Sequence, residues 1–401
     1  MTRQEPLIFI VSGEASGDNL AGKLMGALKR KTGGRIRFAG VGGPQSESQG
    51  LTSLFPVSDL SVIGLAEVLP HLPRLVGRLN ETNAAVRRLK PAAVVTVDSP
   101  GFNLRLARWL RGSGIPVIHY VAPQLWAWAP FRARKLKECV DHIMALLPFE
   151  VPFFEKYGIA CTYVGHPAID TGLEHGDGPA FRLRHGLPPD APVLCVLPGS
   201  RGGEVRRMLP VFGQALLRLK EKYPDLCIVV PVVESIARLV KDMTRDWPHV
   251  VIVDTAERFH AFAAANAAMA KSGTVTLELA LAHVPMVVAY RVSPISAFLV
   301  RCMGVSVEHA SLVNLLAGRE VVPERLQEDC TPEKLAASVD DILGSEQIRA
   351  SQRQAFKDVM RALGDPTPPP SERAAKVVLD IVGGGAETGE TPAGSADASR
   401  P

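Results

Sequence analysis

The 401-residue sequence contains no apolar run close to the ~20 residues that a membrane-spanning helix needs. The first apolar stretch, residues 7–11, is too short for the hydrophobic part of a signal sequence. We therefore expect a cytoplasmic protein whose contact with a membrane, if it has one, is peripheral.

Cysteine pairs and strong net charge are also absent. The six cysteines are scattered, with no close pair at metal-ligand spacing, and most lie in or beside apolar runs. A net charge of +4 is too small to argue for nucleic acid. Hydrophobic residues make up 46% of the chain and charged residues 21%, which is typical of a globular protein with a sizeable core. The composition therefore indicates a reduced protein without a cysteine-bound metal.

Short β-branched runs alternate with segments of helical periodicity, and the pattern occurs in two separate sets. This alternation predicts an α/β fold with two Rossmann-like lobes that face each other across a cleft, each with a parallel sheet covered on both faces. The predicted strands cover residues 7–11, 35–41, 92–97 and 116–121 in the first set, and 192–197, 226–231, 250–253, 267–270 and 284–290 in the second.

The domain boundaries follow from the same pattern. We predict an N-terminal lobe over residues 1–170, a linker rich in Gly, Pro, His and Asp over 171–191, and a C-terminal lobe over 192–345. Residues 346–382 are predicted to form C-terminal helices that could cross back to the N-terminal lobe. Residues 383–401, rich in Gly, Ala, Ser and Thr, are predicted to be disordered.

A glycine-containing turn follows the strand predicted at residues 192–197. Gly199 lets the backbone approach an anion closely, the next helix presents free N–H groups, and Arg201 adds a fork suited to phosphate oxygens. Neither the Walker sequence nor the dinucleotide fingerprint is present at this turn. We predict that Gly199, Ser200 and Arg201 bind a diphosphate; an ordinary strand–turn–helix joint is the alternative.

A second turn in the same lobe has similar chemistry. Ser272, Gly273 and Thr274 lead into a predicted helix, and their hydroxyls and the helix start could hold the other side of a diphosphate. Glu278, about one turn into that helix, could accept hydrogen bonds from both hydroxyls of a ribose. Two such turns in one lobe favour a nucleotide-sugar diphosphate over two plain joints.

A carboxylate stands at the end of a predicted strand in the N-terminal lobe. Asp98 directly follows residues 94–97, and open α/β sheets bind ligands at the carboxyl ends of their strands. Such a carboxylate can take a proton from an acceptor hydroxyl. Asp98 with Ser99 and Pro100 is equally an ordinary helix start in which Asp98 caps the helix. Glu14 and Asp18, after the first strand, are rival bases or acceptor-positioning groups.

Two histidines lie beside predicted strands near the cleft. His119 falls within one predicted strand, and His166 follows residues 163–165. A lone histidine is more often structural than catalytic, so we favour a structural role for both.

Residues 60–79 combine an unusually wide apolar stripe with nearby basic residues. The apolar residues recur at three- and four-residue spacing, and Pro70 and Pro73 predict a bend in the helix. This pattern suits an interface with anionic lipid or with the acyl chains of a lipid substrate, and a well-packed core helix is the alternative. The residues predicted to contact the acceptor or the membrane are Val62, Leu65, Val68, Leu69, Leu72, Leu75, Val76, Trp126 and Trp128.

These features occur together with a series of specific motifs. They are Ser-Gly-Glu-Ala-Ser-Gly-Asp at 12–18, Gly-Val-Gly-Gly-Pro at 40–44, Asp-Ser-Pro at 98–100, Ile-His-Tyr-Val at 118–121, Trp-Ala-Trp at 126–128, Leu-Pro-Phe-Glu at 147–150, Val-Gly-His-Pro at 164–167, the turn at 197–204, and Asn-Leu-Leu-Ala-Gly-Arg-Glu at 314–320. With these motifs, in order between about residues 7 and 335, the sequence resembles the lipid-A-disaccharide synthase family.

The resemblance implies an inverting glycosyltransferase of the GT-B type. Such an enzyme joins UDP-2,3-diacylglucosamine to 2,3-diacylglucosamine 1-phosphate, releases UDP and forms a β-1,6 disaccharide. The family works without a metal or organic cofactor, at the cytoplasmic face of the inner membrane of Gram-negative bacteria. It also shows homodimers with exchanged C-terminal segments. From the small net charge we expect no nucleic-acid partner.

Individual roles also come from the resemblance. Asp98 falls on the proposed base, Arg201 on a diphosphate ligand, and Glu278 and Asn314 in motifs that line the UDP site. Gly101 stands where the family usually has a second aspartate, which strengthens Asp98 as the sole base of the turn. The rival functions are a lipid-linked N-acetylglucosaminyltransferase, a UDP-N-acetylglucosamine 2-epimerase, or a non-catalytic membrane-binding protein gated by a nucleotide sugar.

Overall fold

The computed structural model describes residues 5–60, 65–128, 130–170, 176–292, 308–365 and 367–387. The chain divides into two compact units. Unit 1 comprises Met1–Pro167 and Pro366–Pro401, and unit 2 comprises Ala168–Asp365.

Unit 1 contains a parallel six-stranded sheet with the order β2-β1-β3-β4-β5-β6. The strands are almost continuous apolar runs because helices cover both faces of the sheet. Their bounds are β1 Leu7–Ser12, β2 Arg37–Val41, β3 Ala93–Val97, β4 Val117–Tyr120, β5 His142–Ala145 and β6 Ala160–Tyr163. The order in which the chain adds strands reverses between β1 and β3, since β2 lies on one side of this pair and β4, β5 and β6 lie on the other. Open α/β sheets bind ligands at such a switch point.

Two buried clusters lie on the two faces of this sheet. Phe9, Val11 and Val94 belong to one cluster, whereas Ile8 and Ile10 belong to the other. The helices that follow the strands of unit 1 are α1 Ala15–Thr32, α2 Pro44–Ser48, α3 Leu65–Leu89, α4 Pro100–Leu110, α5 Leu125–Trp128, α6 Ala133–Leu136 and α7 Glu150–Lys156.

Unit 2 contains a second parallel sheet, with the order β12-β11-β10-β7-β8-β9. Counted from β7, this is the strand order of a dinucleotide-binding fold, and its switch point lies between β7 and β10. The strands are β7 Val193–Leu197, β8 Cys227–Pro231, β9 Val250–Val253, β10 Ala267–Lys271, β11 Met286–Tyr290 and β12 Glu324–Leu326.

The helices of unit 2 pack on both faces of its sheet. They are α8 Gly178–Arg184, α9 Gly202–Lys222, α10 Glu234–Met243, α11 Arg258–Ala264, α12 Val275–Leu281, α13 Leu312–Ala317, α14 Pro332–Gly344 and α15 Glu346–Ala362. A last helix, α16 Pro370–Glu387, belongs to unit 1 and packs on α1, where Glu372 accepts a hydrogen bond from Arg30 Nε at 2.9 Å. Short 3-10 turns lie at Val57–Asp59, Pro130–Arg132, Pro167–Asp170 and Gln327–Asp329.

The predicted fold class, with two Rossmann-like lobes, is confirmed. Three strands were not predicted: β5 and β6 have only four residues each, and β12 has three half-buried residues at a sheet edge. Pro70 and Pro73 do not end α3, which continues through both as one 25-residue helix. Among the described helices, none combines the length and the apolar character needed to cross a bilayer.

Candidate functional site

The switch point of unit 1 carries Asp98 in a strained turn. Asp98 directly follows β3, and its backbone N–H donates to the carbonyl of Tyr120 at 2.9 Å. Asp98 and Ser99 have φ values of 52° and 44°. Two successive non-glycine residues in the left-handed region are unusual, and such strain is concentrated at functional sites.

Two neighbours hold this turn in place. Asn103, fully buried in α4, donates from Nδ2 to the carbonyls of Asp98 at 2.7 Å and Val97 at 3.1 Å. The loop after β1 approaches so closely that a Cβ on Gly13 would lie 2.3 Å from Ser99 Oγ. Glycine is therefore required at position 13, and the two loops of the switch point are packed against each other.

The start of α4 leaves buried polar atoms beside Asp98. The N-cap residue of α4 is Ser99, so Asp98 lies one residue outside the helix. Ser99 Oγ and Asn103 Oδ1 are buried and have no hydrogen-bond partner among the residues that the structure describes. Buried polar atoms in native proteins are almost always paired, so these two call for a ligand or water partner.

The two acidic rivals of Asp98 differ sharply in their surroundings. The carboxylate of Asp18 is buried and accepts hydrogen bonds from the backbone N–H groups of Gly43, Gln45 and Ser46 at 2.8–3.1 Å, and from Ser46 Oγ at 2.6 Å. This network anchors α2 and indicates a structural role for Asp18. Glu14 is half-buried at the N-cap of α1, in extended backbone.

Both histidines are buried and uncharged at neutral pH. Burial lowers the pKa of His119 to about 4, and the same cause lowers the pKa of His166 to about 4. His119 Nδ1 forms a hydrogen bond of 2.8 Å with Thr96 Oγ1 on the neighbouring strand. These properties agree with the structural role that we favoured from the sequence.

The switch point of unit 2 is formed by two turns. The first turn, residues 198–201, follows β7, and the second turn, residues 271–274, ends β10 and precedes α12. In the first turn, Gly199 has a φ of 115°, and Arg201 is the N-cap residue of α9 with a half-exposed side chain. The predicted Gly199, Ser200 and Arg201 therefore lie where a phosphate-binding turn requires them.

A carboxylate that sequence reasoning missed lies between the two turns. Glu204 Oε2 accepts a hydrogen bond from the Ser200 N–H at 3.3 Å, and Glu204 Oε1 lies 3.1 Å from Lys271 Nζ. Arg201 Nη1 is 3.7 Å from the same oxygen. Two cations and one backbone N–H thus converge on a single carboxylate.

The second turn uses its serine for folding. The Ser272 N–H donates to the Ala289 carbonyl at 2.9 Å, and Ser272 Oγ donates to the Ala310 carbonyl at 2.6 Å. Both of its protons are therefore directed at protein acceptors. Gly273 and Thr274 complete the turn, and Thr274 is the exposed N-cap residue of the seven-residue α12.

Glu278 forms an ion pair with Arg258. Arg258 was not singled out from the sequence. Glu278 Oε2 lies 3.3 Å from Arg258 Nη1. Neither Glu278 Oε2 nor Arg258 Nε has a hydrogen-bond partner within the described ranges. Burial raises the pKa of Glu278, and the Arg258 guanidinium opposes that shift. The pair therefore has hydrogen-bonding capacity that no described residue uses.

Asn314 is fully engaged inside unit 2. Its Oδ1 accepts from the N–H groups of Val321 at 2.7 Å and Val322 at 3.0 Å. Its Nδ2 donates to the Val322 carbonyl at 2.9 Å and to Glu324 Oε1 at 2.7 Å. This buried amide supports the loop after α13, and direct contact with UDP would require one of these bonds to break.

The residues predicted to contact the acceptor or the membrane, here called the apolar edge, are only partly covered by the described residues. Leu72 and Val76 are 47% and 45% exposed, whereas Leu75 packs against the core. Trp126 is held in place because Nε1 donates to Glu150 Oε1 at 3.3 Å and its ring meets Phe149 edge-on. The side chains of Val62, Leu65, Val68, Leu69 and Trp128 lie outside the described residues.

One exposed aromatic was missed. Phe131 is 70% exposed and immediately precedes the basic residues Arg132, Arg134, Lys135 and Lys137. An exposed aromatic followed by cations is the signal that could have identified it. In the described ranges, no group of three or more His, Cys, Asp or Glu side chains is arranged to hold a metal ion.

Comparison with known proteins gives consistent results. A family model described as lipid-A-disaccharide synthetase matches residues 8–377. A lipid-A-disaccharide synthase of Rhodospirillum centenum is 50% identical over 380 residues, covering 94% of both chains. The same enzyme of Paramagnetospirillum magneticum is 46% identical over 385 residues, covering 95% of this chain and 99% of the relative.

Solved structures share the fold at low sequence identity. S. aureus MnaA with UDP gives a TM-score of 0.61 at 14% identity, covering 94% of this chain and 97% of that chain. The calicheamicin glycosyltransferase CalG4 gives 0.57 at 18% identity, covering 95% and 99%. These likenesses concern the architecture alone.

Proposed function

Since the chain belongs to the lipid-A-disaccharide synthase family and is a glycosyltransferase, we propose that unit 2 binds the UDP-sugar donor and unit 1 activates the acceptor. The donor is UDP-2,3-diacylglucosamine, and the acceptor is 2,3-diacylglucosamine 1-phosphate. The products are UDP and the β-1,6-linked disaccharide 1-phosphate.

In this proposal Asp98 is the general base. Its carboxylate takes the proton of the acceptor 6-hydroxyl while that oxygen attacks the anomeric carbon of the donor from the face opposite the diphosphate. The new bond joins the acceptor oxygen to the anomeric carbon, the bond to the diphosphate oxygen breaks, and the configuration inverts. The support is positional: Asp98 lies at a switch point, in a strained turn pinned by Asn103 and Gly13. Glu14, across the same switch point, is proposed to assist in positioning the acceptor.

The leaving diphosphate requires positive charge. We assign the charge to Arg201, and we assign hydrogen-bond donation to the backbone of Gly199 and Ser200 on one side and to Gly273 and Thr274 on the other. Arg201 and the backbone N–H groups can stabilise the charge that develops on departing UDP. A further assignment is that Glu278, beside Arg258, accepts hydrogen bonds from the ribose hydroxyls. Ser272 and Asn314 shape this site through the hydrogen bonds described above.

We also propose peripheral attachment to the cytoplasmic face of the inner membrane. Exposed Leu72, Val76 and Phe131 support this, as does the basic segment at 132–137. Apolar side chains next to cations suit an interface bearing anionic lipid. A dimer with exchanged C-terminal segments stays a prediction, and in this structure α16 packs on α1 of its own chain.

Two separate observations carry the proposal: a strained carboxylate at the switch point of unit 1 and a cationic double turn at the switch point of unit 2. The test is incubation of the purified chain with both diacylglucosamine substrates, followed by mass detection of the disaccharide and measurement of UDP release. Stoichiometric disaccharide and UDP are expected. Epimerisation of UDP-N-acetylglucosamine, or transfer of N-acetylglucosamine to a lipid-linked acceptor, without disaccharide formation would reject the proposal in favour of a rival enzyme.

A further inference from the structure

Lys271 is an unusually protected cation at the unit 2 switch point. It is the last residue of β10, and its side chain is only 16% exposed. Its ammonium lies 3.1 Å from Glu204 Oε1 and 5.1 Å from the centre of the Tyr290 ring. Removing a lysine from water is costly unless an anion or an aromatic face compensates, and here both are present.

The position of Lys271 matters because of what Glu204 contacts. The same carboxylate accepts from the Ser200 N–H and lies close to Arg201, and a Cβ on Gly199 would be 2.4 Å from Glu204 Oε2. Glu204 is thus an anion surrounded by a backbone N–H, a guanidinium and an ammonium. A phosphate group selects the same set of donors.

The ordinary alternative explains only part of this arrangement. Glu204 is near the start of α9, where a glutamate commonly accepts a backbone N–H in a capping interaction. That role accounts for the bond from Ser200. It does not account for Lys271, which comes from a different strand and whose Nζ would lie 3.8 Å from a Cβ on Gly273 in the second turn.

We propose that Lys271 is a ligand of the donor diphosphate, and that Glu204 occupies the place of a phosphate group when no donor is bound. The inference rests on the proposed function, because it adds a residue to the same donor site. Donor binding displaces the Glu204 carboxylate, and Lys271 transfers its ion pair from Glu204 to a phosphate oxygen. The ammonium then stabilises the charge on the leaving diphosphate.

The test is calorimetric titration of the full-length chain with UDP and with uridine, which lacks phosphate. Lys271→Met should weaken UDP binding about tenfold or more and leave uridine binding unchanged, because a charge-assisted bond to phosphate is lost. Lys271→Arg should recover most of the UDP affinity. Glu204→Gln removes the competing charge, so UDP should bind several-fold more tightly than to the wild type.

Two controls separate a local effect from misfolding. Lys222→Met breaks another lysine ion pair, with Asp340 at 2.7 Å, at the far end of α9, and should leave UDP affinity unchanged. The double variant Lys271→Met with Glu204→Gln removes both members of the Lys271–Glu204 ion pair, and it should still bind UDP more weakly than Glu204→Gln alone. Thermal unfolding of each variant checks that it is folded.

The outcomes distinguish this inference from the proposed function. If Arg201→Ala weakens UDP binding but Lys271→Met does not, the Lys271 assignment is wrong and the donor site stands. If Glu204→Gln weakens UDP binding as much as Lys271→Met does, Glu204 is a structural support and not a phosphate substitute. If the wild-type chain does not bind UDP, both proposals fail.

Discussion

The switch points of unit 1 and unit 2 have the same arrangement of strands and loops, but the side chains that we assign to their candidate sites carry opposite charges. In each unit, two loops emerge from the carboxyl ends of adjacent parallel strands, β1 and β3 in one and β7 and β10 in the other. Unit 1 presents Asp98 and Glu14, whereas unit 2 presents Arg201 and Lys271. The fold creates the position for a ligand, and the side chains at the strand ends decide what chemistry occurs there.

The two switch points also differ in how their side chains are held. Around Asp98 the restraints carry no charge. The buried amide of Asn103 donates hydrogen bonds to two backbone carbonyls, and a close loop contact allows only glycine at position 13. Around Arg201 the restraints are charges, since Glu204 pairs with both cations. We therefore expect unit 1 to be sensitive to side-chain volume and unit 2 to be sensitive to charge.

The largest expected effect comes from Asp98, the proposed base. Asp98→Ala should lower kcat by about 10³-fold, because general base catalysis is typically worth this much, while the Kd for UDP stays unchanged. Disaccharide formation and calorimetry measure the two quantities. Asp141→Asn is the matched control, since that carboxylate accepts a bond from the Val117 N–H at the opposite end of the sheet. Near-normal turnover of Asp98→Ala would remove Asp98 as the base.

The second-largest effect is expected from substitution of Arg201. Arg201→Ala is expected to lower kcat by about 10²-fold and to weaken UDP binding, because a guanidinium that stabilises the leaving group is lost. Arg206→Ala, an exposed arginine on the same helix, is the control and should change neither quantity. Unchanged UDP affinity in Arg201→Ala would contradict the assigned role.

Asn103 tests whether an uncharged hydrogen-bond donor holds the Asp98 turn in its active geometry. Asn103→Ala removes the donor that holds the Asp98 turn, and we expect kcat to fall about tenfold or more because small misplacements of reacting groups are costly. UDP affinity should not change. Asn83→Ala, on the half-buried face of α3, is a suitable control. If Asn103→Ala loses UDP affinity and kcat in proportion, the amide supports the whole protein and not this turn.

The apolar edge should give an effect of several-fold. Replacing Phe131, Leu72 and Val76 with serine should lower co-sedimentation with vesicles containing anionic lipid, because each exposed apolar side chain contributes buried area at the interface. Leu183→Ser and Leu217→Ser alter exposed leucines of unit 2 and serve as controls. Equal losses in both sets would place the membrane contact elsewhere.

Glu150 provides a separate test, which measures stability and not activity or binding. Burial raises its pKa from 4.5 to about 7, so between these pH values the folded chain binds a proton that the unfolded chain releases. The stability contributed by the protonated form is lost as pH rises through 7. Glu150→Gln should therefore become more favourable relative to the wild type from pH 5 to pH 8, by up to about 3 kcal/mol. Urea denaturation at both pH values measures this, and a difference that does not vary with pH would contradict it.

Much of the fold follows from local patterns. The runs that became β1, β3, β7 and β8 are buried on both faces, so each appears in the sequence as a continuous apolar segment. β5, β6 and β12 were not predicted because their segments lack the continuous β-branched run that marks the equally short β9. Pro70 and Pro73 lie in the first half of α3, which continues through both, and the bend that they predict stays a prediction.

The sequence by itself determined the two Rossmann-like lobes, the family, and the turns that carry Asp98 and Arg201. Each of these depends on residues that are adjacent along the chain, in short runs or motifs. Only the tertiary structure decided which side chains meet: Asp18 with the N-terminus of α2, Arg258 with Glu278, and Lys271 with Glu204. These partners come from different elements of the fold. A pairing between them depends on strand order and on the direction of each side chain, which no local pattern records.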